Sequence, residues 1–327
     1  MSPALPVDRP LRVVFLDADT LRADTVLAPF SFPHELIVHG RTAPEQLAER
    51  IAPADVVITN KVPIRAAQFA AAPRLAMIAL AATGSDNVDL DAARAAGVVV
   101  SNVRDYARAT VPEHTFALIL ALRRSLVSYR QSVLDGRWQA AAQFCYHDFP
   151  IADLSGSTLG IVGEGSLGQA VAAIGRGFGM IPIFAGRRTG PTKNPDAVPF
   201  AEFLARSDVI TLHCPLRPEN RDLIGAAELA AMKRSALLIN TARGGLVDEA
   251  ALLAALESGA IAGAGVDVTL PEPPAADSLL MRIARLPNAV VTPHVGWASR
   301  EAVQGLADRL HANIEAFVAG HPTNRVA

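Results

Sequence analysis

Thr158-Leu159-Gly160-Ile161-Val162-Gly163-Glu164-Gly165-Ser166-Leu167-Gly168-Gln169-Ala170-Val171-Ala172-Ala173-Ile174 is an apolar run, a glycine turn and an Ala-rich run in immediate succession. Short apolar runs are the signature of buried parallel strands. A strand that turns into a helix through three glycines at this spacing is the phosphate turn of a dinucleotide-binding sheet. Gly163 permits the tight turn, Gly165 lets the backbone approach a pyrophosphate, and Gly168 lets helix and strand pack closely. The anion then lies on the helix N-terminus, which Ser166 and Leu167 open.

The same strand–helix alternation extends in both directions. Apolar runs at 181–186, 208–213, 235–240, 262–267 and 289–292 join 158–163 to make six strands, enough for the full dinucleotide-binding sheet. Upstream, runs at 11–17, 55–59, 75–81 and 98–103 alternate with helical stretches such as 89–96, where Asp89 suits the N-cap and Gly97 the C′ position. A long amphipathic helix is predicted over 111–134, with Pro112 in its first turn and Gly136 ending it. A last helix over 299–319 closes the chain and is expected to pack back on the first unit. The predicted fold is α/β: two doubly wound parallel-sheet, Rossmann-like domains with a cleft between them. Residues 1–108 plus 296–327 form the substrate (catalytic) domain, and 109–295 the dinucleotide-binding domain. The segment 137–152 holds Trp138, Phe144, Tyr146, His147 and Phe149, a large share of the chain's few aromatics. The reading is that it buries against a second copy in a homodimer, with Phe144 or Tyr146 approaching the partner's cleft.

The 327 residues suffice for two domains, and a hydrophobic content of 50% supplies a sizeable core and argues against disorder. A net charge of −2 gives no footing for nucleic acid or an anionic membrane. No apolar stretch is long enough to span a bilayer. Residues 1–8 lack a basic region followed by an apolar core, so no secretory signal is expected. Cys145 and Cys214 make neither a disulfide framework nor a zinc site, and read as small buried or cofactor-adjacent residues. The expectation is a cytoplasmic protein that acts on a small molecule.

Three strand ends carry chemistry. Arg243 follows 235–240 within Asn240-Thr241-Ala242-Arg243-Gly244-Gly245, and the carboxyl ends of parallel strands face the ligand crevice. Its planar fork of donors suits a substrate carboxylate and the adjacent carbonyl, with Asn240 and Thr241 orienting the loop. His294 follows the last strand. A proton must reach a carbonyl oxygen as hydride reaches its carbon, and histidine titrates in the right range. Glu272, in the loop Pro271-Glu272-Pro273-Pro274, is its natural partner, since a carboxylate on imidazole fixes the tautomer. No metal is called for. The strand 181–186 ends Ala185-Gly186-Arg187-Arg188 where an NAD site usually has an acid for the ribose 2′-hydroxyl. Gly186 removes that acid, and Arg187 and Arg188 suit a 2′-phosphate. The expected cofactor is NADP (NADPH), with NAD possible. Glu164, in the glycine turn, is expected to point outward. His114 and His311 read as packing or surface residues.

The stretches at 82–93 (ATGSDNVDLDAA), 111–120 (VPEHTFALIL), 132–138 (SVLDGRW), 240–245 (NTARGG), 264–268 (AGVDV), 271–274 (PEPP) and 292–299 (TPHVGWAS) appear in this order around the glycine turn. They resemble the D-2-hydroxyacid dehydrogenase family, nearest its glycerate dehydrogenase (hydroxypyruvate reductase) subgroup, with glyoxylate reductase activity nearby. The resemblance implies that Arg243 binds substrate, that Glu272 supports His294, and that His294 is the acid/base. It implies that Ala82, Thr83, Gly84 and Ser85 lie beside the substrate carboxylate. It places Val111, His213, Cys214, Pro215, Thr241, Ala242, Asp267 and Gly296 along the cofactor. The implied reaction reduces hydroxypyruvate or glyoxylate to the D-2-hydroxy acid. Two alternatives remain open at this stage: a nucleotide-sensing, corepressor-like interaction protein, and a dehydrogenase for a bulkier 2-hydroxy acid, with side-chain size set near Asn60, Lys61 and Val62.

Overall fold

The computed structural model describes residues 9–188 and 194–327. The signal-peptide reading of residues 1–8 therefore lies outside the described residues. The chain divides into two units: the described residues up to Ala107 together with Ala298–Ala327, and Arg108–Trp297.

The first unit is built on β1 (Leu11–Phe15), β2 (His34–Val38), α1 (Pro44–Ile51), β3 (Val56–Thr59), α2 (Ala66–Ala71), β4 (Met77–Leu80), α3 (Leu90–Ala96) and β5 (Val99–Ser101). Its five strands run parallel in the order β2-β1-β3-β4-β5. The β3 and β4 strands are buried along their whole length, which accounts for their unbroken Val, Ile and Met runs. Sequence analysis missed β2. It is a largely exposed edge strand carrying His34 and Glu35, so it shows no buried apolar run; Glu35 instead pairs with Arg12 on β1 at 2.7 Å. β1 stops short of the expected residue 17. The Asp17 side chain turns to accept from the amides of Asn60 (2.9 Å) and Lys61 (2.6 Å), tying the end of β1 to the end of β3. Around α3 the local chemistry is as expected: Asp89 accepts from Ala92 N, and Gly97 takes a left-handed φ of 71°.

The second unit begins with α4 (Thr110–Arg123) and α5 (Leu126–Leu134). The single long helix predicted over 111–134 is therefore two. Ser125 breaks it, with a left-handed φ of 48° and its hydroxyl donating to Pro150 O at 2.6 Å. The break separates a buried helix from an exposed one. α4 buries Val111, Phe116, Leu118 and Ile119, whereas α5 has no buried residue. There follow β6 (Thr158–Val162), α6 (Ser166–Gly177), β7 (Ile181–Phe184), α7 (Phe200–Arg206), β8 (Val209–Leu212), α8 (Ala226–Ala231), β9 (Leu237–Asn240), α9 (Glu249–Glu257), β10 (Gly263–Val266), α10 (Leu279–Ile283) and β11 (Ala289–Val291). The six strands are parallel, in the order β11-β10-β9-β8-β6-β7. One face is covered by α4 and α6, with Phe116, Ile119 and Val171 against Leu159 and Ile161. The other carries Phe203, Leu229, Leu252 and Leu256 against Ile210 and Leu238. Outside β7, among the described residues, a single parallel bridge forms, Ala185 to Val198, where the usual order of the full sheet has another strand. The chain then returns to the first unit as α11 (Arg300–Val318), capped by Ser299 on Ala302 N, and buries Leu306, Leu310, Ile314 and Phe317 against Val13, Ile58 and Met77.

Candidate active site

The strand order sets the site. β6 lies between β7 and β8, so consecutive strands leave it on opposite sides, and a crevice opens at its carboxyl end. The three glycines of the turn occupy that point, each under a different constraint. Gly163 has φ 107°, and a side chain there would meet His213 O at 2.4 Å. A side chain at Gly168 would meet Gly163 O at 2.0 Å. At Gly165, the residue before α6, nothing lies within 4 Å of the missing Cβ. Two glycines are therefore required by the fold, and the third keeps space open before the helix N-terminus of Ser166 and Leu167, as a pyrophosphate requires.

Beside the turn lies a cavity of about 410 Å³, lined by Gly163, Gly186, Arg187, Arg188, Cys214 and Pro215, among others. Of the residues expected along the cofactor at the ends of β6, β7 and β8, Gly163, Arg187, Arg188, Cys214 and Pro215 line this hollow, whereas His213 and residues 165–168 are not among its lining residues. Burial holds the His213 imidazole down to about 4, so the ring is neutral at physiological pH. Its Nε2 meets Thr211 Oγ1 at 2.9 Å, and its buried Nδ1 has no partner among the described residues. An orphaned polar atom beside an open phosphate turn fits a dinucleotide. Burial pushes the Cys214 thiol up to about 11, which makes it a wall rather than a nucleophile. Glu164 is exposed, as the expected outward orientation requires, and it also borders the cavity. Its carboxylate accepts from Asn194 Nδ2 at 2.9 Å. Arg188 also lines the cavity and reaches Glu228 at 3.6 Å and Leu223 O at 3.4 Å.

A second grouping surrounds the start of α4. Thr115 Oγ1 donates to Val111 O at 2.8 Å and lies 3.1 Å from Thr241 Oγ1. Thr110 Oγ1 donates to Gly296 O at 3.2 Å, and Gly296 N donates to Asp267 at 2.9 Å. Val111, Thr241, Asp267 and Gly296, spread over 186 residues, are linked through these contacts.

Arg243, Glu272 and His294 follow β9, β10 and β11, three neighbouring strands. Asn240, buried at the end of β9, folds the arginine turn: its Nδ2 donates to Arg243 O at 2.8 Å and its Oδ1 accepts from Ala242 N at 3.1 Å. Gly244 packs this turn against the next loop, because a side chain there would lie 2.2 Å from the Thr269 carbonyl carbon. Thr269 N donates to Glu272 Oε1 at 3.2 Å. Glu272 Oε2 meets His294 Nδ1 at 2.7 Å. With Nδ1–H given to the carboxylate, Nε2 is the atom left for a substrate. His294 takes a left-handed φ of 54°, and Trp297 Nε1 donates to its carbonyl at 2.9 Å.

In the first unit, Ala82, Thr83, Gly84 and Ser85 follow β4. Ala82 O accepts from Val103 N (2.9 Å), Thr83 O from Asn102 Nδ2 (2.7 Å) and Ser85 O from Val88 N (3.0 Å). With the carbonyls of Ala82, Thr83 and Ser85 engaged, these three residues keep their N–H groups as the backbone groups to offer a ligand. Sequence reasoning overlooked the bracing residues. The expectation of a packing or surface role for His114 misses that its Nε2 lies 3.0 Å from Thr292 Oγ1 and 3.4 Å from Asp267 Oδ1. Asn194 was not singled out at all. Neither residue stands in a strand-end motif, and the only local clue was the hydroxyl of Thr292 two residues before His294.

A phosphate turn at a switch point, with arginine, glutamate and histidine at successive strand ends of the same sheet, defines an NAD(P)-binding oxidoreductase of the doubly wound class. Residues 116–296 match the family model described as D-isomer specific 2-hydroxyacid dehydrogenase, NAD binding domain. The chain is 50% identical to a glycerate dehydrogenase of Methylorubrum extorquens, over 96% of this chain and 98% of that one. It is 35% identical to a hydroxypyruvate reductase of Blautia hydrogenotrophica, over 89% and 92% of the two chains. An acyclic imino acid reductase solved in complex with NADPH and D-arginine matches with a TM-score of 0.82 at 27% identity, covering 97% of this chain and 100% of that one. A D-lactate dehydrogenase from Aquifex aeolicus complexed with NAD and lactic acid also matches with a TM-score of 0.82, at 26% identity over 94% and 96%. The chain belongs to the D-isomer-specific 2-hydroxyacid dehydrogenase family and is an oxidoreductase acting on the CH–OH group of its donor. Among the described residues, no helix is long and apolar enough to cross a membrane.

Proposed function

We propose that this enzyme reduces a small 2-oxo acid, hydroxypyruvate or glyoxylate, to the D-2-hydroxy acid, with NADPH preferred over NADH. The observation that carries the reading is the 2.7 Å contact between Glu272 and His294, braced from Thr269 and packed on the arginine turn through Gly244. When bound, the nicotinamide supplies the hydride. Arg243 holds the substrate carboxylate and stabilises negative charge as it develops on the carbonyl oxygen. His294 gives its Nε2 proton to that oxygen, and Glu272 stabilises the imidazolium beforehand. The amides of Ala82 to Ser85 are assigned to the substrate carboxylate. The cofactor's phosphates are assigned to Gly163, Gly165, Ser166, Leu167 and Gly168, and a 2′-phosphate to Arg187 and Arg188. The relatives named glycerate dehydrogenase and hydroxypyruvate reductase support the substrate class, and neighbours solved with NADPH and with NAD support both cofactors as candidates.

The enzyme is also proposed to be a homodimer. Supporting this, Leu126, Val127, Leu134, Trp138 and Phe144 are all exposed, Phe144 to 87%, along α5 and the segment after it. Tyr129, Tyr146 and Phe149 pack together beneath, so the segment is ordered while its apolar face is bare. The decisive experiment is a panel of hydroxypyruvate, glyoxylate and bulkier 2-oxo acids, each with NADPH and NADH, run on the unmodified enzyme and on His294→Ala. The variant should lose ~10²–10⁴-fold in kcat while binding cofactor normally. Near-normal turnover would overturn the assignment, and a preference for branched or aromatic acids would overturn the substrate. Sedimentation of a monomer at micromolar concentration would refute the dimer.

A further inference from the structure

The acid/base reading leaves the conformation of His294 unexplained. A non-glycine residue at φ 54° is disfavoured unless its neighbours hold it. They do so through one carboxylate. Asp267, 2% exposed, accepts from Val295 N at 3.0 Å and Gly296 N at 2.9 Å, the two amides that follow His294. It also accepts from Thr292 Oγ1, two residues before His294. The loop is thus clamped on both sides of the histidine by a single side chain. Burial alone would raise the Asp267 carboxyl; the hydrogen bonds from His114, Thr292, Gly296 and Val295 outweigh it and hold it ionised.

The hydrogen inventory gives this cluster a direction. Thr292 has one hydroxyl hydrogen, and the carboxylate has none to give, so the hydroxyl donates to Asp267. The contact of 3.0 Å between His114 Nε2 and Thr292 Oγ1 must then have His114 as donor. The same N–H lies 3.4 Å from Asp267 Oδ1. The order runs His114 Nε2–H to Thr292 hydroxyl to Asp267, with Asp267 gripping Val295 and Gly296. Gly296 completes the fit, because a side chain there would lie 3.0 Å from Asp267 Oδ2 and 3.1 Å from His114 Cδ2.

We infer that His114 is a positioning residue for the acid/base: through Thr292 and Asp267 it holds the 292–296 loop in the conformation that presents His294. The inference rests on the proposed role of His294. His114 itself is given no contact with substrate or cofactor and no proton transfer to either. It lies on α4, so this chain of bonds couples a buried helix of the second unit to the end of β11.

The test uses the full-length enzyme and four variants. His114→Leu keeps the bulk and removes the donor. His114→Gln keeps an N–H within reach of Thr292. Thr292→Val removes the hydroxyl at constant volume, and a double variant combines Leu at 114 with Val at 292. His114→Leu should lower kcat about tenfold, the scale of one buried hydrogen bond, with KM for the 2-oxo acid unchanged. His114→Gln should recover to within about threefold of the unmodified enzyme. The double variant should be no worse than the worse single variant, because both changes cut one chain. Unchanged kcat in His114→Leu would overturn the inference. So would equal damage from Gln and Leu, or multiplied losses in the double variant, since a packing role predicts both. If His114→Leu does not fold, Thr292→Val and His114→Gln carry the comparison alone, and a Thr292→Val enzyme with full kcat refutes the relay. His294→Ala, measured alongside, keeps the two ideas apart. Full activity there removes the acid/base reading, whereas an inactive His294→Ala with a normal His114→Leu removes only the relay.

Discussion

Gly244→Ala changes no functional group, yet it should disable the enzyme. The added Cβ would lie 2.2 Å from the Thr269 carbonyl carbon, 2.4 Å from its oxygen and 2.5 Å from its Cα. All three are backbone atoms and cannot rotate away. Ordinary carbon contacts are about 3.5–4 Å, so the arginine turn and the Thr269 segment must part by roughly 1 Å or more. Arg243 precedes Gly244 directly, and Thr269 N anchors Glu272 at 3.2 Å. The displacement therefore separates the substrate-holding arginine from the Glu272–His294 pair. A misplacement of about 1 Å in a positioned group costs on the order of 10²-fold, or about 2.7 kcal/mol of transition-state stabilisation. Overpacking should cost a further ~1–3 kcal/mol of stability. The assay is steady-state kcat/KM with the 2-oxo acid, alongside the dissociation constant for cofactor and thermal unfolding. A kcat/KM within threefold of the unmodified enzyme would refute the argument. A fall in cofactor affinity as large as the fall in kcat/KM would place the damage at the glycine turn instead.

Gly165→Ala should behave in the opposite way: with nothing within 4 Å of the new Cβ, stability should be unchanged while cofactor affinity falls at least tenfold, and unaltered affinity would show that no pyrophosphate lies there. The unmodified enzyme should favour NADPH over NADH by at least about tenfold, less at high salt, since one charge-assisted contact contributes ~1.5–3 kcal/mol and the exposed Arg188 already shares Glu228. Alanine at both Arg187 and Arg188 should raise KM for NADPH far more than for NADH; equal kcat/KM for the two cofactors in the unmodified enzyme would sink this reading. Asp55 offers a stability test in the first unit. Burial alone would raise its carboxyl, but Arg9, Arg74 and the Arg12 N–H hold it down to about 2. Because the folded value is depressed, its stabilisation is full above the ordinary carboxylate value and fades as pH falls from about 4 towards 2. Asp55→Asn should therefore lose about 2 kcal/mol in urea unfolding at pH 7 and progressively less below pH 4, whereas a pH-independent gap would disprove the linkage.

Much of this protein is legible in one dimension because its signals are local. A strand buried on both faces must be apolar along its length, so β3, β4, β8 and β9 announce themselves. The glycine turn is local as a pattern, three glycines within six residues, and the Gly168–Gly163 contact spans only five, although the carbonyl that crowds Gly163 comes from His213 on another strand end. Arg243, Glu272 and His294 are readable as candidates because each closes such a run. The elements that escaped had no local signal. β2 is an edge strand with no buried residue, and the break at Ser125 depends on a hydroxyl bond to Pro150 across 25 residues.

Tertiary structure alone decided how the candidates are held. That Gly244 presses on Thr269, that Glu164 accepts from Asn194, and that His114 reaches Thr292 and Asp267 are all contacts between distant positions. Composition and periodicity report which face of an element is buried. They carry no record of which polar groups meet once the strands are ordered β11-β10-β9-β8-β6-β7. Hydrogen bonds are short and directional, so their partners are fixed only when the packed backbone brings donor and acceptor within about 3 Å.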